Sequence, residues 1–121
     1  MIPTARGYNA ILNVAKDSTY EPPPGVEYKK VGLSDDGRND CDEIDRAIDT
    51  LHELVQAGKK VLVHCRAGVS RSPSVVAAYL AKYEGHTLNS ALEVVKNGRD
   101  IADPREDLWA SFVMCSAKNK F

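Results

Sequence analysis

Cysteine is scarce in this chain, with Cys41, Cys65 and Cys115 the three among 121 residues. So sparse and odd a set argues against a disulfide framework and for a reducing, cytoplasmic setting. No CxxC pair or Cys/His cluster is present, so zinc has no ligand set and no other metal or cofactor is implied. Charge of one sign is also lacking. A net charge of −1 provides no cationic surface of the kind that nucleic acid or an anionic membrane requires. No apolar run approaches the length of a membrane span, and the N-terminal MIPTARGYNA has no apolar signal core. Repeats, low-complexity tracts and linkers are missing too. What is there is 43% hydrophobic and 27% charged residues, an ordinary soluble composition. The length suits one compact domain, residues 1–121, and not two.

The element pattern is α/β, with strands early and helices late. AILNVA, residues 10–15, reads as a short buried strand, and VEYKKVGL, residues 26–33, as a second. Between them DSTYEPPPG is a loop, because three successive prolines fit neither a helix interior nor a central strand. Asp40 with Glu43 three positions on forms a capping box for a helix. Ile44, Ile48, Leu51 and Val55 give that helix its apolar stripe, widened by Ala47 and Leu54, and Gly58 closes it. KVLVH is then apolar enough to be a central, parallel strand. Strand, helix, strand in this order implies a βαβ crossover. Three helices follow: Ser72 to Tyr83, one capped by Thr87 with Leu88, Ala91, Leu92 and Val95 on its apolar face, and one opened by Asp103, Pro104 and Glu106. Trp109 belongs to the core, Arg99 has a structural role near a helix end, and His52 and His86 are expected in solvent.

The stretch VLVHCRAGVSRSPSVVAAYL carries the chemistry. Cys65 stands at the carboxyl end of a parallel strand, where open α/β sheets bind ligands. The loop after it, Arg66, Ala67, Gly68, Val69 and Ser70, is mostly small and leads into a helix N-terminus. Such a loop turns backbone N–H groups inward around an anion, and the helix dipole adds positive charge. Gly68 permits positive φ where the loop folds back. Arg71, at the start of the helix, carries a guanidinium fork that suits two phosphate oxygens. A helix N-terminus and cationic neighbours lower a cysteine pKa, so Cys65 is expected as a thiolate nucleophile attacking phosphorus while Arg71 holds the phosphoryl oxygens.

HCRAGVSRS resembles the signature of the cysteine-dependent protein tyrosine phosphatases, and the longer stretch most resembles their dual-specificity branch. AILNVA is similar to the strand that opens much of that branch's domain, and TLNSALEVVKNGRDI to the helix after the signature. The resemblance implies a central, mostly parallel sheet with helices packed around it. It implies Cys65 as nucleophile, Arg71 as phosphate binder, Ser72 as the hydroxyl that stabilises the thiolate as leaving group, and His64 as the residue that orients the loop. The family has a further strand and helix ahead of the ILNVA strand. This chain therefore reads as a minimal domain or as one missing an N-terminal piece.

Ester cleavage also needs a proton for the departing oxygen, and a carboxylic acid on another loop at the same sheet edge can supply it. SDDGRND follows the second strand, and on the residues alone Asp35 and Asp36 are both open. The resemblance favours Asp35; Asp40 is taken by the helix cap. Asn13, polar inside an apolar strand, needs partners and is a candidate brace for His64 or the phosphate loop. Cys41 and Cys115 are expected as buried free thiols, with the alternative that one captures an oxidised Cys65. The expected function is metal-independent hydrolysis of phosphotyrosine and of phosphoserine or phosphothreonine in protein partners, without nucleic acid or membrane. The alternatives are a phosphatase of a phosphoinositide, glycan or RNA 5′-phosphate, and an inactive phosphate-binding module.

Overall fold

The computed structural model describes residues 7–66, 69–98 and 101–119. Three strands and four helices follow one another as β1 (Ala10–Ala15), β2 (Glu27–Leu33), α1 (Cys41–Gln56), β3 (Val61–His64), α2 (Arg71–Tyr83), α3 (Leu88–Gly98) and α4 (Glu106–Asn119). The sheet order is β2-β1-β3 with both pairings parallel. β1 is therefore the central strand, and all six of its residues are buried. The expectation that β3 is central is corrected. β3 pairs with β1 alone among the described strands, and its four residues are only half-buried. Its apolar run fills two faces: Val61 and Val63 pack on the core, while Leu62 and His64 face a groove on the other side of the sheet.

Helix α1 forms where its signals stand. The Asp40 N–H donates to the Glu43 carboxylate at 3.2 Å, as a capping box requires. At the other end Gly58 takes φ of 77°, its N–H donates to Val55 O at 3.0 Å, and the Lys59 N–H donates to Leu54 O at 3.1 Å. This pattern ends a helix through a left-handed residue. Ile44, Ala47, Ile48, Leu51 and Leu54 are buried, but Val55, expected on the same stripe, is exposed in the last turn of the helix. On α3 only Ala91 of the expected apolar face is fully buried.

The core joins β1 and β2 to α1, α2 and α4 through Leu12, Val14, Leu33, Ile48, Val75, Leu108 and Phe112. Trp109 packs against this cluster and stacks on Phe112. Cys41 and Cys115 are joined by a disulfide across 74 residues, which corrects the expectation of free thiols. The count of three misled because two cysteines lie on helices packed side by side, and the bond removes the basis for a reducing compartment. Cys65 is the cysteine outside it. His52 is likewise not solvated: its ring stacks on Tyr83 at 3.7 Å between centroids. No helix among the described residues is long and apolar enough to cross a membrane.

Candidate active site

Three loops leave the carboxyl ends of the parallel strands and meet above the sheet. The loop after β3 begins with Cys65, which is buried. Its thiol donates to Ser72 Oγ at 3.4 Å, and the Ser72 backbone N–H donates to Sγ at 3.4 Å. Ser72 is the second residue of α2, so the sulfur sits on that helix's N-terminal amides, at the positive end of its dipole. Ala67 and Gly68 of this loop lie outside the described residues, as does Arg99.

Arg71 does not swing freely. It is 5% exposed, and Nη1 alone donates to Asp17 Oδ1 and to Leu33 O, each at 2.8 Å. Nε and Nη2 have no hydrogen-bond partner among the described residues, which leaves one edge of the fork for an oxyanion. Asp17 also lies 3.7 Å from Arg66. The hydrogen bond from Arg71 holds the Asp17 carboxyl below its usual range, so it stays charged. Gly32 helps to create this pairing. A Cβ there would meet the Lys16 Cα at 2.9 Å, so only glycine lets the end of β1 close over β2.

His64 is held from both sides. Its Nδ1 lies 3.1 Å from Cys65 O, and Nε2 lies 2.7 Å from the Tyr20 hydroxyl. A carbonyl can only accept, so Nδ1 carries a proton; in the tautomer protonated there alone, Nε2 accepts from the Tyr20 hydroxyl. Burial raises the Tyr20 pKa, with Tyr28 and Tyr8 adding to it, and keeps the phenol protonated as a donor. Asn13 pairs with His64 in the sheet register but does not bond to it. Its side chain donates to Ser18 O at 3.0 Å and to Tyr28 Oη at 2.9 Å, and accepts from the Ala15 N–H at 2.9 Å. Asn13 thus fixes the loop that carries Asp17 and Tyr20, and braces the site at one remove.

The acid loop separates its two aspartates. Asp36 is spent on Arg38, with contacts of 2.7 and 3.0 Å to the guanidinium and 2.9 Å to the backbone N–H. These bonds hold its carboxyl below the usual range, the wrong direction for a proton donor. Asp35 instead lines the cavity that contains Cys65, and its buried Oδ1 has no hydrogen-bond partner among the described residues. That cavity, about 300 Å³, is also lined by Arg66, Val69, Ser70, Arg71, Asp103 and Arg105. None of these described lining residues is aromatic.

The far wall explains a further correction. Asp103 does not cap α4, which starts at Glu106. Its N–H is used on Val69 O at 2.7 Å, and the Arg105 N–H is used on Ser70 Oγ at 2.9 Å. Ser70 therefore braces the loop with its hydroxyl. Asp17, Tyr20, Asp103 and Arg105 were not anticipated from the sequence. The sheet-edge reasoning that found Asp35 after β2 applies equally after β1 and would have reached Asp17. Nothing local flags Arg105. Among the described residues, no group of three or more His, Cys, Asp and Glu side chains is arranged to hold a metal ion.

Comparison with known proteins gives a consistent picture. Residues 4–118 match the family model for the dual specificity phosphatase catalytic domain. The chain is similar to mouse dual specificity phosphatase 28, 32% identical over 105 residues, covering 86% of this chain and 64% of that protein. It is similar to rat dual specificity protein phosphatase 5, 36% identical over 96 residues, covering 78% of this chain and 25% of that one. The chain thus spans less than two thirds of the length of these curated relatives. A mouse dual specificity phosphatase solved in complex with zinc tungstate superimposes with a TM-score of 0.85 at 29% identity, covering 97% of this chain and 74% of the other.

Proposed function

Because this chain belongs to the dual specificity phosphatase catalytic-domain family, we propose that it hydrolyses phosphotyrosine and phosphoserine or phosphothreonine in proteins, without a metal, through a phosphocysteine intermediate. The observation that carries this reading is the placement of Cys65 Sγ. It rests on the Ser72 N–H and hydroxyl at the base of a cavity rimmed by Arg71 and Asp35.

In the first step the Cys65 thiolate attacks phosphorus and the ester P–O bond breaks. Asp35 gives its proton to the departing oxygen. The Nε and Nη2 edge of Arg71 takes two equatorial phosphoryl oxygens as charge spreads over them. Arg66, Val69 and Ser70, with Ala67 and Gly68, supply the rest of the oxyanion cradle. In the second step the Asp35 carboxylate takes a proton from water, the water oxygen attacks phosphorus, and the S–P bond breaks. The Ser72 hydroxyl then turns to donate to the returning thiolate. His64 keeps the Cys65 carbonyl in place throughout, which holds the start of the phosphate loop. The tungstate of the mouse relative, a tetrahedral oxyanion, is in keeping with such a cradle.

The absence of an aromatic wall among the described lining residues supports a shallow site that admits both short and long phosphorylated side chains. Matched phosphotyrosine and phosphothreonine peptides test this. Release of phosphate from both, lost in Cys65→Ser, is expected. Release from neither, by folded protein with Cys65 reduced, would overturn the protein-phosphatase reading.

A further inference from the structure

The Cys41–Cys115 disulfide stands outside the phosphoryl chemistry, yet it joins two of the three walls of the site. Cys41 is the first residue of α1, immediately after the loop of residues 34–40 that carries Asp35. Between Leu33 and Ile44 no residue is fully buried, so that stretch has no deep apolar anchor of its own. It is held by a clasp of Asn39 across the loop, in which Nδ2 donates to Ser34 O at 2.8 Å and Oδ1 accepts from the Ser34 N–H at 2.8 Å. It also rests on α4, where a Cβ on Gly37 would meet Asp107 O at 3.1 Å. The disulfide is its one covalent tie, to Cys115, which is 3% exposed inside α4.

Helix α4 is in turn fastened to the phosphate loop. Asp103 and Arg105, just before it, donate to Val69 O and Ser70 Oγ. A closed circuit results: phosphate loop, α4, disulfide, acid loop, and back across the cavity to Cys65. Resting on the phosphatase reading above, we infer that the Cys41–Cys115 bond is a positioning device for the general acid. The oxidised form fixes Asp35 against the leaving-group side of the cavity. The reduced form keeps the nucleophile and the oxyanion cradle but holds the acid loosely.

Reduction by a small dithiol follows ordinary exchange chemistry. A reagent thiolate attacks Sγ of Cys41, the half-buried partner, and the S–S bond breaks with Cys115 leaving as thiolate. The reagent's second thiol then displaces Cys41 and closes a cyclic disulfide. Two electrons and two protons pass from dithiol to protein, and both cysteines end as thiols.

The consequence is selective. A well-placed general acid matters for a basic leaving oxygen and little for one that departs readily as an anion. The readout is therefore the ratio of kcat/KM for phenyl phosphate to that for p-nitrophenyl phosphate. Any oxidation of Cys65 scales both rates equally and cancels in the ratio.

The test uses the full chain. Alkylation in denaturant followed by mass spectrometry counts thiols, and one free cysteine before dithiothreitol and three after it are expected. On reduction the ratio falls by about tenfold or more in the wild type. It does not change in Asp35→Asn, which has no acid left to misplace. Cys115→Ser reproduces the reduced value; if that variant does not fold, the reduced wild type carries the comparison. Three free cysteines before reduction overturn the inference, and so does a ratio that stays within about twofold. Both of those outcomes leave the phosphatase reading standing. No turnover of either substrate in either state sinks that reading and the inference with it.

Discussion

Replacing Asp35 by asparagine removes a transferable proton while keeping the side chain's shape. In the folded protein Asp35 lines the Cys65 cavity, and its buried Oδ1 has no hydrogen-bond partner among the described residues. Its neighbour Asp36 spends both oxygens on Arg38. A positioned general acid contributes typically 10²–10⁴-fold in rate. At 1.36 kcal/mol per decade this is about 3–5 kcal/mol of transition-state stabilisation. Phenyl phosphate, whose oxygen leaves as a strong base, feels most of that. We expect Asp35→Asn to lower its kcat/KM by roughly 10²–10³-fold and to flatten the alkaline limb of its pH profile. With p-nitrophenyl phosphate the loss stays under about tenfold, since that group departs without a proton. Asp36→Asn changes both rates by less than about threefold, because its carboxylate serves a surface contact with Arg38. Steady-state rates on the two substrates across the pH range are sufficient. A larger loss in Asp36→Asn, or equal losses on both substrates in Asp35→Asn, would refute the assignment of the acid.

Further outcomes are expected from the surrounding structure. Asp17→Asn removes the charge that holds Nη1 of Arg71, so inorganic phosphate should bind roughly tenfold more weakly, with Asp17→Glu partly restoring it. Inhibition constants measured against p-nitrophenyl phosphate check this, and unchanged phosphate affinity would remove Asp17 from the site. Tyr83→Phe takes a hydrogen bond from Asp49, given at 2.5 Å, and should cost about 1 kcal/mol in urea unfolding. Burial alone would raise the Asp49 pKa, but hydrogen bonds from Lys82 and Tyr83 outweigh it and hold the carboxyl below its usual value. That contribution is complete above the ordinary carboxylate pKa of about 3.9 and is lost as pH falls through the depressed one, so the gap between wild type and Tyr83→Phe closes only at strongly acid pH. Phe112→Ala empties a fully buried site at the α4 contact and should destabilise by about 3–5 kcal/mol, read by chemical unfolding.

The parts of this molecule that follow local rules were legible in its sequence. β1 runs over the residues its apolar pattern indicates, and α1 begins and ends at its capping box and its glycine. Cys65 lies after a parallel strand and before a helix, as the spacing of cysteine, small residues and arginine suggests. What was hidden depends on contacts between distant segments. Asp103 has the chemistry of a helix cap, but α4 starts at Glu106 and Asp103 instead donates its N–H to Val69 O of the phosphate loop. The disulfide needs α1 and α4 to lie side by side, which no count of cysteines conveys. His52 has no partner within its own helix and finds one, Tyr83, on α2. Asp17 and Tyr20 sit in a loop whose prolines and polar residues read as a connection. Their importance appears only when β1 is seen at the centre of the sheet, with its carboxyl end beside Arg71 and His64.

The central claim is that Cys65 carries the phosphoryl group during turnover. Rapid acid quench of the enzyme with phosphorylated substrate, followed by peptide mass spectrometry, reads this directly. The expected result is a phosphoryl group on the peptide containing Cys65, absent in Cys65→Ser along with turnover. Phosphate release that persists in Cys65→Ser, or a phosphoryl group found on a different residue, would contradict the account.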